Sequence, residues 1–234
     1  MAKLNRKLKM GMVGGGPGAF IGDVHRKAAQ LDGGVELVAG AFSQDEAKSR
    51  QQGEALYLTP SRVYGSYKDM IACESRLPEG ERIDFVSVVT PNFNHYEIAS
   101  AFFSAGFHVV LDKPMTFSLD QAYKLQKLVH SRKKQVLALT HNYTGYPMVK
   151  LARDLVRGGK LGKVLKVVVQ YPQGWLIQAI EKMGAKQAEA LRQSRLHGRH
   201  RHPRGKPGRI HHRPQDHRTL RRPWRHGQGP QARR

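Results

Sequence analysis

The chain has 234 residues, with 40 Lys and Arg against 18 Asp and Glu, a formal net charge of +22. That length holds one large domain, or one and a half. The lone cysteine, Cys73, excludes an intrachain disulfide, and neither a membrane-spanning apolar run nor a signal-peptide core is present; a reducing cytoplasm is the expected location.

The elements alternate from the start. Leu8 to Val13 reads as a short strand that runs into glycines, and Gly18 to Leu31 as a helix. "VELVAGAF" is a second strand, followed by a helix from Asp45 to Gly53. "DFVSVVTP" is a third strand, stopped by Pro91. Asn94 to Gly106 is helical, with Gly106 as the stop signal. "FHVVLDKP" is a strand, again ended by a proline. Leu119 to Lys133 is helical with Ser118 as N-cap. "QVLALTHNY" is a further strand, and Met148 to Arg157 a helix closed by Gly158 and Gly159. These strands are nearly continuous apolar runs, which implies an α/β fold: a parallel sheet covered by helices on both faces. From Lys163 the pattern changes. "KVLKVVVQYPQGWL" reads as a long alternating strand, the opening of a second, α+β domain, and a helix from Leu176 to Ala190 follows.

In such sheets ligands bind at the carboxyl ends of the strands, and three stretches there carry chemistry. In "MVGGGPGAFIG", Gly14, Gly16 and Ala19 fit G-x-G-x-x-G/A between a strand and a helix, with Gly18 inside the turn. Such a turn lets a pyrophosphate approach the backbone at a helix N-terminus. The acidic ribose reader at the end of strand two is replaced by Ser43, with Asp45 and Lys48 nearby. A hydroxyl does not repel a 2′-phosphate, so both NAD and NADP stay open. In "VVTPNFNH", Thr90 and Asn92 end a buried strand where they can line a cofactor cleft, or simply cap it; His95 is equally an ordinary helix histidine. In "VVLDKPMTF", Lys113 stands between Asp112 and Pro114. Pro114 biases it toward an extended backbone. A lysine there can donate to a substrate oxygen or move a proton.

These stretches, in this order, resemble the glucose–fructose oxidoreductase/inositol dehydrogenase/MocA (Gfo/Idh/MocA) family. "LDKPMT" is similar to its Glu-Lys-Pro signature with Asp112 in place of Glu, and "THNYTGYPMV" and "GGKLGKVLKVVVQYPQGWL" extend the likeness from about Leu8 to Glu189. The resemblance implies a Rossmann domain over residues 1–160 and the start of a substrate domain over 161–189. It implies hydride transfer between NAD or NADP and a sugar, polyol or sugar derivative, and full-length relatives that are homo-oligomers. It makes Lys113 the catalytic or substrate-orienting lysine. Gly14, Gly16, Gly18, Ala19, Ser43, Thr90, Asn92, His95 and Asp112 become cofactor-binding, and Asn142 and Tyr143 substrate-binding. No metal or membrane partner is implied.

The last 45 residues are a different polymer. Residues 190–234 hold 14 Lys and Arg, one acid and seven of the twelve histidines, leaving 26 basic and 17 acidic groups in the first 189. Too little apolar surface is present to offset chain entropy, and a disordered tail is expected. Codons can be chosen for Leu196 to Arg204 that, read one base later, give C-M-G-D-I-G-T-H-A. That string is similar to the Asp- and His-bearing segment with which the family's second domain supplies its acid/base. The tail is therefore expected to be an out-of-frame translation, and the chain a truncated, inactive form. The alternative is a non-catalytic nucleotide-binding protein whose basic tail associates with nucleic acid nonspecifically through phosphates. The tail histidines lack the ligand spacing of a structural zinc site.

Overall fold

The computed structural model describes residues 5–170. The expectations for Tyr171–Arg234, including the Leu176 to Ala190 helix and the basic tail, lie outside the described residues. Among those described, five parallel strands form one sheet in the order β2-β1-β3-β4-β5: β1 Leu8–Gly14, β2 Val35–Ala41, β3 Phe85–Val89, β4 His108–Leu111 and β5 Leu137–Leu139. The helices are α1 Phe20–Gln30, α2 Glu46–Ala55, α3 Tyr67–Glu74, α4 His95–Ser104, α5 Leu119–Ser131 and α6 Pro147–Arg157. The fold is the Rossmann-type α/β fold that the apolar runs imply.

Handedness distributes the helices. The β1-to-β2 crossover, and the step from β2 through α2 to Val63, which bridges Gly40, move one way along the sheet, and the later crossovers move the other way. Right-handed connections therefore place α1 and α2 on one face and α3 to α5 on the opposite face. The larger core lies under α3 to α5, where Val86, Val88, Val109 and Leu111 meet Ile98, Phe102, Phe103 and Leu125. The alternate residues of the same strands face α1. There Met10, Met12, Phe42 and Val89 form a smaller core against Ile21 and Ala29. Beyond α1 no helix among the described residues covers this face over β4 and β5, where a cleft of about 910 Å³ is lined by Val24, Ala28, Val110, Val136 and Ala138, among others.

Several expected elements shift. The first helix starts two residues later, because Ala19 takes the extended N-cap conformation. The fifth strand is only three residues long, and Asn142–Gly145 turns into a 3-10 helix. Helix α3 was not expected. Its start is marked by a local signal, since Ser66 Oγ accepts from the Asp69 N–H at 3.2 Å and donates to the Asp69 carboxylate. The largest departure is "KVLKVVVQ". Residues 163–170 form no strand and are exposed, Leu165 by 85%. A strand is stable only when its backbone is paired, and among the described residues the sheet ends at β5 with no partner for this segment.

The segment between β2 and β3 is organised by a buried charge. Glu74 is fully buried, and its carboxylate accepts from Arg62 Nε at 2.9 Å and Nη2 at 2.8 Å, Tyr64 OH at 2.8 Å and the Ile83 N–H at 3.0 Å. Every oxygen is satisfied, so burying the ion is tolerable. On the other side of the sheet, Asp84 receives Arg6 through two bonds of 2.6 and 2.8 Å and the Lys9 N–H at 2.7 Å, which pins the start of β1.

Two predictions follow from these charges. Removing Arg62 in Arg62→Met leaves Glu74 buried and unpaired. Urea unfolding should show a loss of about 3–5 kcal/mol; a loss below about 1 kcal/mol would mean that the pair is solvated. The Arg6 guanidinium holds the Asp84 carboxyl below its usual value. That stabilisation is complete above the unfolded carboxyl value of about 3.9 and is lost as pH falls through the lower folded value. The stability gap between wild type and Asp84→Asn should be constant near neutral pH and close only below about pH 4.

Candidate active site

The turn between β1 and α1 owes its shape to missing side chains. Gly14, Gly15 and Gly18 have φ of 87°, 73° and 76°, which L side chains resist. Gly16 lies against β2: a Cβ there would come within 2.8 Å of the Phe42 carbonyl oxygen and 3.8 Å of Ser43 Cβ. The closest approach involves Gly22, a residue that the sequence pattern did not single out. A Cβ on Gly22 would sit 2.6 Å from Gly15 Cα, so α1 rests on the turn backbone to backbone. The motif's spacing to Ala19 masks Gly22, although a glycine inside an amphipathic helix is itself a signal of close packing.

Ala19 occupies the N-cap position with φ −84° and ψ 114° and has no side chain able to cap. Its own N–H bonds the Gly16 carbonyl at 3.0 Å. The N–H groups of Phe20, Ile21 and Gly22 precede the first helical hydrogen bond and have no intrahelical acceptor. With the positive end of the helix dipole they form an anion site. At the neighbouring strand end, Thr90 Oγ1 is buried without a hydrogen-bond partner. A glycine cradle, an uncapped helix N-terminus and an orphaned hydroxyl along one sheet edge fit a dinucleotide. Ser43 follows β2 beside Gly16, where the adenosine ribose reader belongs. Its Oγ accepts from the Asp45 N–H at 3.1 Å. Asp45 caps α2, and the Lys48 N–H holds its carboxyl below the usual range.

The residues expected near substrate gather at the upper end of the cleft beside α1. Asp112, Lys113, Thr140, Asn142 and Tyr143 all line it, together with His25. Lys113 is exposed and its side chain is available to a ligand. Asp112, expected among cofactor-binding residues, is turned into the protein. Its carboxylate accepts from the Thr140 hydroxyl at 3.1 Å and lies 3.6 Å from His25 Nε2. Burial pushes the Asp112 carboxyl up, but His25, the Lys113 N–H and Thr140 outweigh it and hold the group below its usual value.

Asn92 begins the 3-10 turn after β3, Asn92–Asn94. His95, expected near the nicotinamide side, is 1% exposed. Its Nδ1 lies 2.7 Å from the Pro114 carbonyl and its Nε2 2.9 Å from the Thr90 carbonyl. Both ring nitrogens thus face backbone carbonyls, which places the residue between the β3 and β4 turns. Pro114 follows Lys113 through a cis peptide bond.

Residues 8–141 match the model of an oxidoreductase family with an NAD-binding Rossmann fold. An uncharacterized oxidoreductase of Bacillus subtilis, YfiI, is 32% identical over 173 residues, 74% of this chain and 43% of its own length. An inositol dehydrogenase homolog from Azotobacter vinelandii, solved with NAD+, has a TM-score of 0.72 at 35% identity, over 80% of this chain and 46% of that one. An inositol dehydrogenase homolog from the same organism, solved with NADH and myo-inositol, has a TM-score of 0.64 at 38% identity, over 68% and 41%. The chain therefore spans less than half the length of these relatives. With its glycine turn, uncapped α1 and Lys113 set along one edge of a matching sheet, the chain belongs to the Gfo/Idh/MocA oxidoreductase family.

Proposed function

We propose that residues 1–160 are the dinucleotide-binding domain of an NAD(P)-dependent dehydrogenase acting on a sugar, polyol or sugar derivative, with Lys113 as its catalytic lysine. The observation that carries this reading is the uncapped N-terminus of α1 at the end of β1, on the same sheet edge as Lys113 at the end of β4. The A. vinelandii homolog's NADH and myo-inositol support the two ligand classes.

A bound nicotinamide supplies the two-electron acceptor or donor. The chain's own residues supply the rest. The α1 N–H groups hold the pyrophosphate, and Ser43 meets the ribose without repelling a 2′-phosphate, which leaves NAD and NADP both acceptable. Thr90, with Asn92 beside it, offers a hydroxyl to the nicotinamide end. Asn142 and Tyr143, which line the same cleft as Lys113, contact substrate. The Lys113 ammonium donates to the substrate oxygen and stabilises the negative charge that grows there as the carbinol C–H bond opens. Oxidation also releases the hydroxyl proton. Family resemblance assigns its acceptor to a histidine of the second half, outside the described residues. From the out-of-frame reading of the tail after residue 189, which replaces the segment that resembles the family's acid/base, we infer that this chain binds cofactor but does not turn substrate over.

Ala19→Asp separates binding from folding. An aspartate at this N-cap should accept from the first-turn N–H groups and raise stability by about 0.5–2 kcal/mol. The same carboxylate occupies the anion site, so NADH and NADPH titrations followed by fluorescence should weaken at least about tenfold. Stability up with binding unchanged would remove the pyrophosphate assignment. A second test compares turnover of this chain with that of a version whose frame is restored near codon 190 and whose second half is supplied, using NAD and NADP with a panel of sugars and inositols. Turnover is expected from the restored protein alone. Turnover by the 234-residue chain itself would require a base within these residues.

A further inference from the structure

The Lys113 turn is held from both faces of the sheet. On the α4 side His95 bonds the Pro114 carbonyl. On the α1 side the grip begins with an anomaly in β3. Ser87 is 1% exposed and is the one polar residue in a strand that otherwise reads Phe-Val-Val-Val. Its Oγ lies 2.9 Å from His25 Nδ1. The other ring nitrogen, Nε2, points at the Asp112 carboxylate, with the two side chains only 8% and 14% exposed. The carboxylate in turn receives the Lys113 N–H and the Thr140 hydroxyl.

The proton on the imidazole can be placed by elimination. A carboxylate is acceptor-only. A lone pair on Nε2 would face it repulsively, so Nε2 carries hydrogen. In the neutral ring Nδ1 then accepts, and the Ser87 hydroxyl donates to it. In the charged ring both nitrogens donate. Either way, Ser87 orients the ring and Nε2–H is presented to Asp112. Thr140 is already tied to β4, its Oγ1 also lying 3.3 Å from the Leu111 carbonyl. His25 is different: it comes from α1, three residues after Gly22 and on the same helical face, so it joins the helix that carries the dinucleotide turn to the turn that carries the lysine.

We propose that His25 is a positioning residue for Lys113, acting through Asp112, with Ser87 orienting its ring. Asp112 thereby serves as an internal bracket. The proposal rests on the assignment of Lys113 as the working lysine, but its test does not require turnover or cofactor.

The experiment uses the full chain and three variants, His25→Gln, His25→Asn and His25→Ala. Glutamine can extend a polar group toward the Asp112 carboxylate; asparagine reaches Ser87 only. Each protein is trace-acetylated with an N-hydroxysuccinimide ester, and the rate at Lys113 is read by peptide mass spectrometry against the exposed Lys68 and Lys127. Loosening the turn should raise the relative Lys113 rate by about threefold in the Asn and Ala variants. The Gln variant should stay near wild type. Equal rates in Gln and Asn, or no change in any variant, would reduce His25 to packing and overturn the proposal. A variant-free check is the 15N spectrum of the imidazole. Hydrogen on Nε2 is expected, and a neutral ring with hydrogen on Nδ1 alone overturns the relay even if a variant fails to fold. An NADH titration of wild type runs alongside. Its failure with the labelling contrast intact would refute the cofactor reading and leave the relay standing.

Discussion

The approach of Gly22 to Gly15 is the constraint on which the site depends. Two backbones meet where neither residue has a side chain. This sets how deeply α1 lies on the β1 turn, and therefore where its first N–H groups point. The same placement lowers His25 onto Ser87 and brings its far nitrogen beside Asp112. A methyl group at Gly22 would lift the helix and move both ends of this arrangement at once. The anion site and the lysine bracket share one mechanical origin.

The lysine turn shows how a parallel sheet holds a flexible residue in place. Lys113 itself is exposed and unencumbered, but the residues on either side of it are fixed. Asp112 is held inward by hydroxyl, amide and imidazole, and the Pro114 carbonyl is held by a second imidazole from the opposite layer. Neither histidine needs to touch a ligand to matter. Rigid support behind a mobile charged side chain is what a site needs if the ammonium is to meet a substrate oxygen at a defined place.

The alternation of apolar strands and helices was legible because a sheet buried on both faces writes itself as unbroken apolar runs. The glycine turn and Lys113 were legible because each follows a strand and carries a local punctuation mark. Other features were hidden for physical reasons. Glu74 and Arg62 look like surface charges in sequence, and only the fold reveals that they are paired inside. Helix α3 has weak apolar periodicity; its Ser66–Asp69 capping signal is stronger than its face. His25 sits in a helix rich in charged residues, and nothing local distinguishes it. Its significance arises only from Ser87 and Asp112, 62 and 87 positions away. The apolar "KVLKVVVQ" misled in the other direction, since β-rich composition cannot supply a partner strand.

Helix α6 shows what an unburied stripe entails. Met148, Leu151, Leu155 and Val156 are exposed by 40% or more, and no residue of the helix is buried. Its charged residues, Lys150, Arg153, Asp154 and Arg157, lie on the opposite side. Eleven residues fall short of the about 12–15 that an isolated helix needs to be even marginal in water. Its main-chain hydrogen bonds therefore draw little support from tertiary burial. In hydrogen exchange the amides of 150–157 should trade with solvent through local opening, at rates set by the helix alone. Those of β1, β3 and α4, locked beneath Phe102 and Phe103, should wait for the whole sheet to come apart.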